Sequence, residues 1–201
     1  MDYQVQNTAS DEKRLQIIRA AITVLSDQNY QNMKTASVAA EAGIAEGTIY
    51  RYFTGKKDLF VAVLDHICGS LSDYFISRIS PNKGLKENLT ILRDSFVLTR
   101  GETSIMYKIL YKAFSEVEDE DIRQALGGLF STSLKRIQTI LQACLESEKI
   151  SVSEEKLETV LMMIWGIGDI IWKRQIILGD TCMDLSGSDA FVDMLYSVLR
   201  N

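Results

Sequence analysis

Between Ala45 and Lys56 the chain gathers polar groups suited to gripping a polyanion rather than breaking bonds. Thr48, Tyr50 and Tyr52 offer hydroxyls, Lys56 an ammonium and Arg51 a guanidinium. Hydroxyls and ammonium groups serve phosphate oxygens, which position a protein on a duplex without reading its sequence. The planar fork of Arg51 matches the major-groove edge of guanine, worth about 1–3 kcal/mol of discrimination. Glu46 has two possible uses of equal weight: accepting from a cytosine amine, or complementing the start of its own helix. Ala45 and Gly47 are small enough for the backbone to come close to base edges. Catalytic patterns are missing from the sequence. His66 is the only histidine, so no His pair can hold a metal, and neither HExxH, CxxC nor GxSxG occurs. The expectation is a binding protein, not an enzyme, with no metal and no cofactor.

Two short helices must present these groups. Val38, Ala39 and Ala42 form a small apolar face. Gly43 follows, where a helix would end in a left-handed cap, and Ile44 turns back to the core. Ile49 and Phe53 then lie four residues apart, on one face of a second helix. This is the pattern of a helix-turn-helix whose second helix can enter a major groove. Its outward side carries Ala45, Glu46, Gly47, Thr48, Tyr50, Arg51 and Tyr52. Lys56 and Lys57 follow just past its end, and the expected direct base contacts are Glu46, Gly47, Thr48 and Arg51.

The run AGIAEGTIYRYFTGKKDLF resembles the signature of tetracycline-repressor-like (TetR) transcriptional regulators. The matching positions are Val38-Ala39, Ala42-Gly43, Gly47-Thr48-Ile49-Tyr50, Tyr52-Phe53, Lys56 and Leu59-Phe60. The resemblance covers roughly residues 14 to 64. It implies an all-α fold: an N-terminal three-helix helix-turn-helix domain and a C-terminal helical bundle, about nine helices together. It also implies a homodimer formed through the last two helices, a double-stranded operator of near-palindromic sequence, and release by a small effector. Thr35 is carried over as a phosphate-contacting helix cap, one residue later than the family's usual threonine. The form IAEGTIYRYF is similar to fatty-acid-responsive members, which implies a small, largely apolar effector. The other reading is an interaction module on the same fold that binds a protein and uses DNA for location.

The expected domains are residues 10–56 for DNA and 57–201 for ligand and dimer. Residues 1–9 read as a disordered tail, and Ser10 as the cap of a helix to about Gln28 with Leu15, Ile18, Ala21, Ile22 and Leu25 inward. A long helix from Lys56 to about Ile79 turns Leu59, Phe60, Val63, Leu64 and Ile67 inward, and Pro81 stops it. Amphipathic patterns follow over 84–99 (Leu85, Leu89, Leu92, Phe96) and 102–115 (Ile105, Met106, Ile109, Leu110, Phe114). Others cover 119–148 (Ile122, Leu126, Leu129, Ile137, Leu141, Cys144), 153–178, and 188–200 (Phe191, Met194, Leu195, Val198, Leu199). The segment VLMMIWGIGDIIW is apolar nearly all round, so its helix must be covered on more than one side. Gly166 and Gly168 cost that helix about 1 kcal/mol each relative to Ala, and suit a close approach by a helix or ligand. Effector candidates are Met106, Tyr107, Tyr111, Phe114, Met162, Trp165, Asp169 and Trp172, each also readable as plain core. Asp169 either anchors a polar or cationic ligand group, or pairs with Lys173, with Arg174 or with a basic residue of a second copy.

Net charge is −5, but residues 31–57 hold Lys34, Arg51, Lys56 and Lys57 against Glu41 and Glu46 only. A local basic patch is what counterion release requires. It is thin, which argues for two copies acting together. Cys68, Cys144 and Cys182 lack metal or disulfide spacing and read as core residues kept reduced in a cytoplasmic protein. Residues 1–14 are polar, so no secretory signal is expected. The apolar run Val160–Gly168 is far shorter than the roughly 20 residues that cross a bilayer, so no membrane is expected.

Overall fold

The computed structural model describes residues 9–97, 102–178 and 189–200. Among them every regular element is helical: α1 (Ala9–Asp27), α2 (Thr35–Glu41), α3 (Glu46–Ile49), α4 (Lys56–Ile76), α5 (Leu85–Val97), α6 (Glu102–Ala113), α7 (Glu120–Ser147), α8 (Glu154–Leu178) and α9 (Ala190–Arg200). A 3-10 turn, Phe114–Glu116, follows α6. The all-α expectation holds. Of the expected tail over residues 1–9, Ala9 is instead helical, and residues 1–8 lie outside the described residues, as do Cys182 and the Leu129 side chain. Helix α1 already includes Ala9 and Ser10, so Ser10 is inside the helix rather than capping it. The chain groups into two compact units, Met1–Gly69 with Ile105–Gly127, and Ser70–Ser104 with Gly128–Asn201.

In the first unit, α1 packs against α2, and α2 against α3. The buried face of α1 is Ile17, Ile18, Ala20, Ala21 and Leu25. Leu15 and Ile22, expected at its centre, are only half-buried. Positions 17, 21 and 25 repeat every fourth residue, and that row takes the middle of the interface. Ile17, Val38, Ile49, Leu59, Val63 and Leu64 have no exposed surface at all. Each such side chain contributes about 1.5–3 kcal/mol relative to an exposed one. Tyr30 stacks on Phe60 with ring centroids 4.5 Å apart. The α6 side chain Lys112 closes the C-terminal end of α1. Its ammonium donates to the carbonyls of Leu25, Ser26 and Gln28 at 2.9, 3.0 and 2.9 Å.

In the second unit, α5 packs against both α8 and α9. Leu85, Leu89, Leu92 and Phe96 are all buried, as their spacing predicts. Phe96 lies 4.7 Å from Phe75 and 6.3 Å from Trp165, centroid to centroid. Gly168 of α8 is buried beneath it: a Cβ there would come within 2.3 Å of the Phe96 ring. The close approach expected at this glycine is thus a contact between two helices of one chain. Helix α4 stops at Ile76 rather than near Ile79. The Arg78 amide bonds back only three residues, to Phe75, which tightens and ends the last turn. The fully buried Asn88 holds the following Pro81 turn, accepting from the Ser80 amide and donating to the Ser80 and Lys83 carbonyls. Arg93, 5% exposed, pairs with Asp94 and with Asp189 at the start of α9.

Helix α8 remains open along one side. Met162, Ile170 and Ile177 are 63%, 57% and 76% exposed, and Met194 of α9 is 46% exposed. By length and composition α4 is the one described helix that would reach across a membrane, and 56% of that stretch is buried in the fold.

Candidate nucleic-acid interface

The turn between α2 and α3 is built as its residues demand. Gly43 adopts φ +63, a conformation that a side chain would strain. Its amide bonds the Ala40 carbonyl at 3.1 Å, and the Ile44 amide bonds Ala39 at 3.0 Å. These are the two bonds of a Schellman cap, which satisfies carbonyls that α2 would leave open. From α1, the Gln16 amide donates to the Ala42 carbonyl at 2.8 Å. Past Ile49 the α-helix ends, but amides of Arg51, Tyr52 and Phe53 still bond back to Thr48 and Ile49. Phe53 therefore lies over Ile49 on the buried side, and the intervening residues turn outward. The exit is fixed by Asp58, which accepts from the amide and hydroxyl of Thr54 at 2.7 and 3.2 Å.

The outward face matches the expected composition. Ala45, Glu46, Gly47 and Arg51 are exposed, and Tyr50 is 55% exposed. Thr48 and Tyr52 are half-buried. A Cβ at Gly47 would meet nothing within 4 Å, so packing inside the chain does not require glycine there. Arg51 has no acidic partner among the described residues. Lys56 is half-buried. Its ammonium donates to the Gln31 carbonyl at 2.8 Å and sits 4.7 Å from the Tyr30 ring centre, with no acidic partner among the described residues. Lys57 is different. Asp121, within the first turn of α7, and Asp119, just ahead of it, hold its ammonium at 2.7 and 3.3 Å. Their hydrogen bonds raise its pKa above the ordinary lysine value. Thr35 opens α2 but does not cap it: the N-cap is Lys34, without a side-chain cap bond. The Thr35 hydroxyl instead reaches α3, 2.6 Å from Glu46 Oε1 and 3.2 Å from the Tyr50 hydroxyl.

The eight effector candidates fall in both units. Met106, Tyr107, Tyr111 and Phe114 belong to the first, and Met162, Trp165, Asp169 and Trp172 to the second. Tyr107 and Trp172 are buried, Met106, Tyr111, Trp165 and Asp169 half-buried, and Phe114 and Met162 exposed. Tyr111 and Phe114 lie 6.0 Å apart, ring to ring. Asp169 accepts from Lys173 at 2.5 Å, a pair one helical turn apart. Sequence reading missed Lys112 and the Thr35 link. Both join residues distant in sequence, and periodicity carries no signal for such contacts.

Residues 17–63 match a family described as bacterial regulatory proteins, tetR family. The chain is 26% identical over 196 residues to the fatty acid metabolism regulator protein of Bacillus subtilis (strain 168), covering 94% of this chain and 96% of that one. Over 78 residues it is 33% identical to the nucleoid occlusion factor SlmA of Haemophilus influenzae (strain PittGG), 38% of this chain and 34% of the other. A crystal structure of the transcriptional regulator FadR from Bacillus subtilis with stearoyl-CoA has the same fold, with a TM-score of 0.70 at 22% identity. That likeness covers 92% of this chain and 98% of the other.

Proposed function

Because the chain belongs to the tetR family of bacterial regulatory proteins, we propose that it is a dimeric, cytoplasmic repressor, released from its operator by a small, largely apolar effector. The observation that carries the reading is the α2–Gly43–α3 turn. It turns Glu46, Gly47, Tyr50 and Arg51 to solvent while Ile49 and Phe53 anchor them from behind. Residues 10–56 do the reading, and 57–201 bind the effector and pair the subunits. Thr35, Ala45, Glu46, Gly47, Thr48, Tyr50, Arg51, Tyr52 and Lys56 form the DNA face. The open apolar side of α8 and α9 supports pairing, because a stripe of Met162, Ile170, Ile177 and Met194 is unfavourable in water. Two copies present two reading helices to successive major grooves, roughly 34–36 Å apart.

The effector class rests on likeness. A relative similar along its whole length is named for fatty acid metabolism, and a structural neighbour holds stearoyl-CoA. Release then needs only a coupling of about 1–3 kcal/mol between effector and DNA. The second reading, an interaction module that uses DNA for location, draws on the nucleoid occlusion factor. That match spans 38% of the chain, whereas the regulator's spans 94%, so the regulator weighs more.

A titration of a bound duplex with stearoyl-CoA, followed by fluorescence anisotropy, tests the proposal. Release at micromolar ligand by a chain that sediments as a dimer is the expected result. A monomer whose DNA binding ignores long-chain acyl-CoA would overturn it.

A further inference from the structure

Thr35 sits on α2, yet its hydroxyl lies between two side chains of the reading segment. It is 2.6 Å from Glu46 Oε1 and 3.2 Å from the Tyr50 hydroxyl. A threonine hydroxyl carries one proton and two lone pairs, and an ionised carboxylate can only accept. The Thr35 proton therefore goes to Glu46. The Tyr50 hydroxyl in turn donates to Thr35. The three groups make one directed chain, from Tyr50 through Thr35 to Glu46, in which each bond polarises the next.

This order decides what the surface can recognise. The one proton of Tyr50 is engaged, so its oxygen faces solvent as an acceptor and cannot donate to a phosphate. Glu46 keeps Oε2 free, also as an acceptor. Both side chains are exposed, Tyr50 by 55%. An acceptor-only edge repels phosphate oxygens and guanine O6 and N7. It fits the exocyclic amines that cytosine N4 and adenine N6 present in the major groove.

We propose that Thr35 is a positioning residue for sequence reading: it holds Glu46 and Tyr50 as an acceptor pair that selects an amine-bearing base. This rests on the reading of the chain as a DNA-binding regulator. It replaces the phosphate contacts expected of Thr35 and Tyr50 with a role in specificity.

The test compares base preferences, selected from a random duplex pool, for the full-length wild type, Thr35→Val, Thr35→Ser and Glu46→Gln. Valine keeps the shape and removes the hydroxyl. Thr35→Val and Glu46→Gln should flatten the same position of the site, by about fivefold or more, and leave the others unchanged. Thr35→Ser should restore it. If Thr35→Val weakens every duplex by one factor, or keeps the wild-type preferences, the assignment is wrong although the protein reads DNA. If the wild type enriches no sequence, the regulator reading falls, and the assignment with it.

Discussion

Gly168→Ala sets two terms of opposite sign against each other. Helix propensity alone favours alanine over glycine in a helix interior by about 1 kcal/mol. Packing opposes it. The added methyl would lie 2.3, 2.4 and 2.7 Å from three carbons of the Phe96 ring, where carbon atoms need about 3.5–4.0 Å. The ring must retreat by more than an ångström, and Phe75 and Trp165 stand against it. Overpacking of this kind costs about 1–3 kcal/mol, so the net effect is a destabilisation of up to about 2 kcal/mol. Gly69 of α4 is the control. It is exposed, and a Cβ there meets nothing within 4 Å, so Gly69→Ala should stabilise by up to about 1 kcal/mol. Urea unfolding at one protein concentration measures both. Phe96→Leu should make Gly168→Ala less costly, because a smaller side chain clears the space. Equal stabilisation by the two alanines would refute the packing of α5 on α8.

Gly47→Ala should leave folding intact or raise stability by about 0.5–1 kcal/mol, because the site has room and alanine suits a helix better. It should nevertheless weaken DNA binding, and an unchanged duplex affinity would show that the backbone does not approach the bases there. Lys57→Ala should barely alter the slope of log affinity against log salt, since Asp119 and Asp121 already neutralise that ammonium. Lys56→Ala, whose ammonium has no acidic partner among the described residues, should lower the slope by about 0.9 per half-site, and the reverse ranking would contradict the charge assignment. His66 has its pKa lowered from 6.5, first by burial and then by Arg19. The folded chain thus binds this proton less readily than the unfolded one, so His66 contributes a loss of stability as pH falls through 6.5 and below. In His66→Gln that part of the pH profile should flatten, and an unaltered profile would show the ring to be equally hydrated in both states. Burial pushes the Cys68 thiol up to about 12, and raises Cys144 as well. At pH 8 peptide mapping should find both unmodified by iodoacetamide in the folded chain, and rapid labelling would show that they are not buried.

The turn between α2 and α3 was legible because each of its residues is needed locally. Gly43 is placed by a positive φ, and Ile49 and Phe53 by a four-residue spacing that one short helix must bury. The stripes of α5 and α7 were equally plain, since Leu85, Leu89 and Phe96, or Ile137, Leu141 and Cys144, sit on regular helical spacings. The face of α1 was legible in part: Ile18, Ala21 and Leu25 go inward as their spacing predicts, but apolar residues flank the stripe on both sides, and packing against α2 turns Ile17 inward in place of Leu15 and Ile22. Helix α8 was ambiguous for a similar reason. An all-apolar helix does not say which side stays open, and here it is the side of Met162, Ile170 and Ile177. The links made by Thr35 and Lys112 were invisible. They join a hydroxyl to residues 11 and 15 positions away, and an ammonium to carbonyls 84–87 positions away, where no spacing rule applies.

The central claim is that the outward edge of α3 grips duplex DNA and that two chains grip it together. Selection from a random pool by the wild-type protein, with the mass of the resulting complex measured, tests both halves at once. The account predicts an enriched inverted repeat whose half-site centres lie about one helical turn or a multiple apart, with an even number of chains on each duplex. A single unrepeated motif bound by one chain, or no enrichment at low salt, would contradict it.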